Sequence, residues 1–415
     1  MKIAIVGSGI AGLTCAYLLA RRHDITVFEA DARIGGHTHT VPVTVDGREY
    51  AVDTGFIVFN DWTYPNFIRL LGQLGVTFKP TEMSFSVNDP DTGLEYNGNN
   101  LNSLFAQRSN LLSPGFWGML RDILRFNKEA RRDLAEQRIT ADTTLDDYLK
   151  AGGYGERFIL HYIVPMGAAI WSMPMAEMLN FPLQFFVRFF ENHGLLSVSN
   201  RPQWQVIEGG SSAYIAPLTA SFKERIRLSC PVGRIDRDAH GVVIHSPAGI
   251  ERFDKVVLAC HSDQALRLLG SPDDKEREIL GALPYADNEV LLHTDTRLLP
   301  TRKRAWASWN YRLGGAGHTR AAVTYDMNIL QGIQSDTTFC VSLNQSAGIT
   351  PSKVLARFTY AHPQFSLAAV AAQQRWAEID GAQHTHYCGA YWANGFHEDG
   401  VVSALRVAAA FGESL

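Results

Sequence analysis

The sequence predicts an α/β protein in which a parallel-sheet domain is interleaved with an α+β domain, a mixed sheet plus helices. Three observations predict it. The first thirty residues alternate apolar strand, helix and apolar strand, the order that gives a parallel pair. Residues 61–200 turn to aromatic-rich helical patterns, and strand patterns return near 205. Finally, 415 residues exceed one ordinary core, yet no Pro/Ser-rich or low-complexity linker separates two units.

The elements follow in order. Lys2 to Val6 is a short apolar strand, Gly7 to Gly12 a glycine turn, Leu13 to Arg22 a run of helix formers, and Ile25 to Glu29 a β-branched second strand. Pro114 to Leu134 reads as an amphipathic helix capped by Ser113, with proline at its first position. A further helix starts over 145–150, and prolines cut 155–193 into helical pieces. Strands are expected at 225–229, 241–245 and 255–259, with strand-like runs at 288–296 and 320–344. Residues 353–376 are mixed. The chain closes with a strand from Thr385 to Ala390, a loop, and a helix from about Gly400 to Phe411. The charge-free stretch from Phe158 to Ala176 holds Pro165 and Pro174 and falls short of the ~20 apolar residues of a membrane span, so it reads as a buried helix pair.

Composition narrows the function. With 46% hydrophobic and 19% charged residues the chain is globular, not disordered. A net charge of −4 without a basic run argues against nucleic acid. The cysteines, Cys15, Cys230, Cys260, Cys340 and Cys388, form no CxxC pair, which fits a reduced, cytoplasmic chain and excludes a zinc ribbon or redox dithiol.

The glycine turn carries the strongest signal. In Gly7-Ser8-Gly9-Ile10-Ala11-Gly12, Gly7 permits the turn, Gly9 leaves room for a pyrophosphate, and Gly12 lets helix and strand pack closely. The amides of the first helical turn then face the phosphates. Glu29, with Ala30 after it, ends the second strand, where its carboxylate meets ribose hydroxyls and repels a 2′-phosphate. This is a Rossmann-type dinucleotide site, for FAD or NAD. Only one complete fingerprint is present. Gly314-Gly315-Ala316-Gly317 lacks the third glycine and the strand–helix context.

Further on come Arg33-Ile34-Gly35-Gly36-His37-Thr38 and Asp53-Thr54-Gly55-Phe56. Together with the glycine turn and Glu29 they resemble the flavin amine oxidase superfamily. The resemblance implies FAD held non-covalently. It places the Gly35-Gly36 segment, flanked by Arg33, His37 and Thr38, along the pyrophosphate and flavin, and Gly55 and Phe56 near the flavin ring. It also implies an adenine contact at Val232, a return of the chain to the cofactor at Ala259, and a closing motif running from Tyr387 through Gly389 and Ala390 to Val401. There a helix beginning at Gly400 would point its N-terminus at the flavin. Ala390 stands where the superfamily carries an acid, and Asp399 is the substitute that the loop offers.

The stretch Gly395-Phe396-His397-Glu398-Asp399-Gly400 is similar to a bacterial subgroup. That subgroup is related to the N-terminal flavoprotein domain of plant cyclopropane fatty acid synthases and to a desaturase of the furan fatty acid pathway. Residues 306–311 and 324–331 share the likeness. The resemblance implies an FAD-dependent oxidoreductase that dehydrogenates a hydrophobic substrate, a modified fatty acyl chain among the candidates, and passes electrons to O2 or another acceptor. An amine or amino-acid oxidase is one alternative. The lysine usual in such enzymes is absent from 288–293, which counts against it. A flavin-binding accessory protein beside a lipid-modifying partner enzyme is another. Candidate catalytic groups are Tyr391, His397, Tyr325 and Asn310, and no metal site is expected. The apolar residues of 158–190 are either a core or the walls of an acyl site. Phe185 to Phe190 leaves open a peripheral contact at the inner membrane face. By the same resemblance the FAD domain is expected from 1–60, 200–285 and 355–415, and the substrate domain from 61–199 and 286–354.

Overall fold

The computed structural model describes residues 1–314 and 321–415; most of the glycine run at 314–317 therefore lies outside the described residues. Strands Lys2–Val6, Asp24–Phe28, Lys255–Leu258, Thr385–Tyr387 and the two-residue Ile226–Arg227 form a parallel sheet. Lys2–Val6 lies at its centre, between Asp24–Phe28 and Lys255–Leu258. These strands read as near-continuous apolar runs because both faces of the sheet are covered. Helices Ile10–Leu19 and His397–Ala409 pack together in the core beneath one face. An antiparallel meander, Arg234–Asp238, Gly241–Ser246 and Gly249–Phe253, packs on the other.

The second sheet has seven strands: Val354–Pro363, Tyr285–His293, Cys340–Leu343, Val323–Asp326, Trp309–Arg312, Phe85–Asp89 and Leu94–Asn97, in that spatial order. It is mixed, since Trp309–Arg312 pairs parallel with Phe85–Asp89 while its other pairs are antiparallel. A helical core beside it gathers Phe116, Phe126, Phe158, Phe181, Phe186 and Phe190. The helix Pro114–Ala135 takes its cap from Ser113, whose Oγ accepts from the Phe116 amide.

Several expectations are corrected. The boundary expected at 355 falls later, because Val354–Pro363 pairs along its length with Tyr285–His293. The boundary expected at 60 also falls later: helix Pro65–Leu74 buries Phe67, Leu70 and Leu71 in the core under the parallel sheet. Residues 78–97 are strands and turns, not helix. The closing helix starts at His397, three residues before Gly400, because the Asp399 carboxylate accepts from the Phe396 amide and fixes the first turn earlier. The strand expected over 225–229 shrinks to two residues. The charge-free stretch is a chain of short helices with a π turn at Ile159–Ile163. Among the described residues no helix is long and apolar enough to cross a membrane. At the stretch expected to touch a membrane, Phe186, Phe189 and Phe190 are buried in the helical core, and the half-buried Phe185 packs against Phe365 and Trp171.

Candidate active site

One large cavity, about 590 Å³, runs from the glycine turn to the face of the seven-stranded sheet. Its first end is backbone. Gly7 sits at φ +105°, a conformation suited to glycine, and a Cβ there would press on the carbonyl of Ala259. A Cβ at Gly12 would run into the carbonyl oxygen of Gly7, so this residue sets the helix–strand approach. A Cβ at Gly9 would meet no protein atom within 4 Å; the space beside it belongs to the cavity. Gly9 caps the helix Ile10–Leu19 with no side-chain bond, leaving first-turn amides free for an anion. The Glu29 carboxylate accepts from the Ser8 amide (2.9 Å) and Oγ (2.5 Å) at the end of its strand. Open glycine cradle, uncapped helix and strand-end carboxylate fit a dinucleotide, and so fit FAD.

Most expected cofactor residues line this cavity: Gly7, Ser8, Gly9, Ile10, Ala11, Glu29, Ala30, Gly35, Gly36, His37, Gly55, Phe56, Val232, Ala259, Gly389 and Ala390. Six do not, and each has a structural task instead. Gly12 packs helix on strand. Arg33 donates to the carbonyls of Gly36 (2.6 Å) and Thr38 (3.2 Å), bracing the loop where a phosphate contact was expected. Thr38 is buried and bonds Tyr214 and His397. Asp399 caps its own helix. Gly400 lets that helix approach Ile10, and Val401 is fully buried in the core.

The second end is made of side chains from distant segments. The ring centroids of His261 and His362 lie 5.9 and 5.5 Å from that of His37. Tyr360 is 5.3 Å from His37, and Tyr285 stacks on His261 at 4.0 Å. Burial pushes His362 down to about 4 and His37 well below the ordinary imidazole range, with His362 and His261 adding like-charge repulsion. His37 Nε2 is buried with no partner among the described residues. His261, Tyr285, Tyr360 and His362 escaped the sequence reading. The alternation Phe358, Tyr360, His362 along one strand face was the signal available.

Of the candidate catalytic groups, Tyr391, His397 and Tyr325 line the cavity. The Tyr391 hydroxyl is buried and unpartnered among the described residues. The His397 ring lies on Phe56 (3.4 Å between centroids, 13°), and its Nε2 is shared by Thr38 Oγ1 (2.9 Å) and Tyr214 Oη (3.3 Å). Burial pushes it down to about 3, so it is a neutral post joining three segments. Asn310 is corrected. It is buried away from the cavity, accepts from Ser86 Oγ and the Ala307 amide, and donates to the carbonyls of Ala307 and Thr324. All its polar capacity serves the sheet.

The neighbours in the loop are also structural. Glu398 accepts from the amides of Asn66 (3.1 Å) and Phe67 (2.8 Å), capping the helix Pro65–Leu74 from outside. Asp399 is half-buried and lines a second cavity of about 370 Å³ that shares Asn394 and Phe396 with the first, and loss of hydration raises it to about 7. Asp53, raised by burial to about 6, accepts from Thr40 Oγ1 (2.6 Å) and from the amide and hydroxyl of Ser211. Among the described residues no group of three or more His, Cys, Asp or Glu could hold a metal.

Beyond the histidines the wall is apolar: Ile57, Val58, Ile170, Trp171, Val290, Trp309, Tyr325, Leu330, Leu343 and Phe365. Lysine is absent from the described lining, whose charged residues are Glu29 and Arg267. From the stretch 158–190, Ile170, Trp171 and Ser172 reach the cavity; the other apolar residues expected as walls mainly fill the helical core. The indole nitrogens of Trp171 and Trp309 are buried without partners among the described residues.

A family model described as flavin containing amine oxidoreductase matches residues 10–322. The chain is 26% identical over 317 residues to L-amino-acid oxidase of Mus musculus, covering 70% of this chain and 47% of that one. It spans about half the length of the curated relatives it matches. Among solved structures, putrescine oxidase bound to putrescine superposes with a TM-score of 0.70 at 16% identity, over 99% of both chains. A CLA-producing fatty acid isomerase from P. acnes gives 0.69 at 16%, over 99% of this chain and 98% of that one. These two likenesses establish the fold.

Proposed function

The chain belongs to the flavin containing amine oxidoreductase family, and from that premise we propose that it is an FAD-dependent oxidoreductase that dehydrogenates an uncharged hydrophobic substrate, a modified fatty acyl chain first among candidates. One observation carries this reading: the substrate end of the cavity is apolar, with no carboxylate and no lysine along its described lining. A substrate ammonium would lose its hydration there without a counter-charge. An acyl chain loses nothing, and burial of its methylenes favours binding.

FAD, when bound, accepts a hydride equivalent. Introducing a double bond removes one hydride equivalent and one proton from adjacent carbons. The protein's part is to hold the chain between Trp171, Val290, Trp309 and Phe365, and to exclude water. It also keeps an uncharged nitrogen, His37 Nε2, free to receive the proton. The unpartnered indole N–H groups of Trp171 and Trp309 suit a carbonyl oxygen on the substrate.

The test is anaerobic bleaching of the flavin absorption by a panel of acyl chains, amines and amino acids. Bleaching by acyl chains alone is expected. Bleaching by amines or amino acids alone would overturn the reading in favour of the activity named for the mouse relative. A flavin that dithionite reduces but no substrate reduces would overturn it in favour of an accessory role.

A further inference from the structure

We propose that the segment 101–128 forms a docking face for a membrane surface carrying anionic lipid headgroups. The face lies outside the cavity, and the proposal holds whatever the substrate is.

Five large apolar side chains stand in water within this one stretch: Leu101 (76% exposed), Leu111 (48%), Leu112 (88%), Trp117 (50%) and Leu124 (57%). Leu111 and Leu112 end the turn Arg108–Leu112, immediately before the helix Pro114–Ala135. The tip is held firmly. The Trp117 indole N–H donates to the Leu111 carbonyl (3.0 Å), its ring lies 5.5 Å from Phe105, and Arg108 donates to the Phe105 carbonyl (2.7 Å). Along the helix, Trp117, Arg121, Leu124 and Lys128 recur at the spacing of one face, and all four are exposed.

Charge selects the occupant. The exposed charged residues between 101 and 135 are Arg108, Arg121, Lys128, Arg131 and Arg132, all cationic. The three acids of the stretch are withdrawn: Asp122 and Asp133 are buried, and Glu129 is half-buried and accepts from the Tyr154 hydroxyl (2.6 Å). Arg131 is paired with Glu191 and Arg132 with Asp133, which leaves Arg108, Lys128 and Arg121, the last at the 4.0 Å limit of an ion pair with Asp122, nearest the apolar tip. A cationic face on a chain of net charge −4 is a local departure from the whole. Protruding leucines, an indole at the rim and flanking cations match an interface of acyl chains under anionic headgroups. A folded partner would instead need a pocket shaped to each separate side chain.

The test is flotation of the FAD-loaded protein with vesicles of phosphatidylcholine alone or mixed with phosphatidylglycerol. Binding to the mixed vesicles, weakened by salt and poor with phosphatidylcholine alone, is expected. Leu111→Ser with Leu112→Glu, and separately Arg121→Glu with Lys128→Glu, should each lower the bound fraction by about tenfold. Both variants should keep the flavin spectrum, because all four positions are exposed. No binding to mixed vesicles, or equal binding by wild type and both variants, overturns the proposal. In the first case an acidic protein partner becomes the better reading of the face. Flotation needs no turnover, so its failure is separable from failure of the substrate assignment.

Discussion

The two ends of the main cavity are built by opposite rules. At the dinucleotide end the determinants are absences. Gly7, Gly9 and Gly12 matter because they lack a Cβ, and the binding groups are backbone amides within one turn of each other. At the ring end the determinants are side chains from far-apart segments: His37, His261, Tyr285, Tyr360, His362 and Tyr391. The first end is local, and an added Cβ there meets backbone at Gly7 and Gly12 but only open cavity at Gly9. The second is assembled by the fold and is defined by burial and titration.

The largest expected effect separates two glycines at the same end. Gly12→Ala places a methyl against the Gly7 carbonyl and must push the helix off the strand. A loss of about 3 kcal/mol of stability is expected, with loss of FAD. Gly9→Ala places its methyl in open cavity. Stability of the FAD-free protein should stay within about 0.5 kcal/mol, while FAD affinity falls by about tenfold or more as the phosphate approach is blocked. Thermal melts of the FAD-free variants and FAD titration check both. If Gly9→Ala destabilises as strongly as Gly12→Ala, the division between packing glycine and cradle glycine is wrong.

This contrast explains what the sequence revealed. The βαβ start, the glycine cradle, Glu29, Gly35-Gly36 and Gly55 were legible because each meets a backbone constraint inside a short window. Helix Pro114–Ala135 was legible from its own Ser-Pro cap. The ring end was not, because His261 and His362 are unremarkable singly and become a cluster only when two sheets face each other. The misreading of Asn310 has the same origin. A polar residue in a family-like motif looks chemical until Ser86, from a strand more than two hundred residues earlier, is found donating to it. The membership of helix Pro65–Leu74 in the core under the parallel sheet, and of strand Val354–Pro363 in the seven-stranded sheet, was hidden because no change of composition marks either.

A second way to sharpen the comparison is titration at the ring end. His362 and His397, held near 4 and 3, are neutral in the native state and gain protons on unfolding below about 6.5. Their contribution is whole above that value and is lost as pH falls toward 4. Asp399 and Asp53, raised to about 7 and 6, run the other way. The native state keeps protons that the unfolded chain releases above about 3.8, so their contribution declines as pH rises through 4 to 7. Asp399→Asn keeps an acceptor for the Phe396 amide and removes the charge. It should leave stability at about pH 4 unchanged and raise it by about 2 kcal/mol at about pH 8, read from urea melts. An equal shift at both pH values would mean that Asp399 is not the group titrating.

The smallest effect expected falls where the two ends meet. Tyr391 lies over Gly389, where a Cβ would strike its ring, and the Tyr391 carbonyl accepts from Gln373 Nε2 (2.8 Å), so ring and backbone are fixed. Its hydroxyl alone has no partner among the described residues, although it is buried at the cavity wall. Burying an unsatisfied hydroxyl is unfavourable by about 1 kcal/mol. Tyr391→Phe should therefore leave the FAD-free protein as stable or up to about 1 kcal/mol more stable. If the hydroxyl meets bound FAD, the same change should weaken FAD binding by about fivefold, one neutral hydrogen bond. The two readouts move in opposite directions, a pattern that a packing defect does not give. A fall in FAD-free stability would show that Tyr391 serves the fold, and would leave the ring end held by its histidines alone.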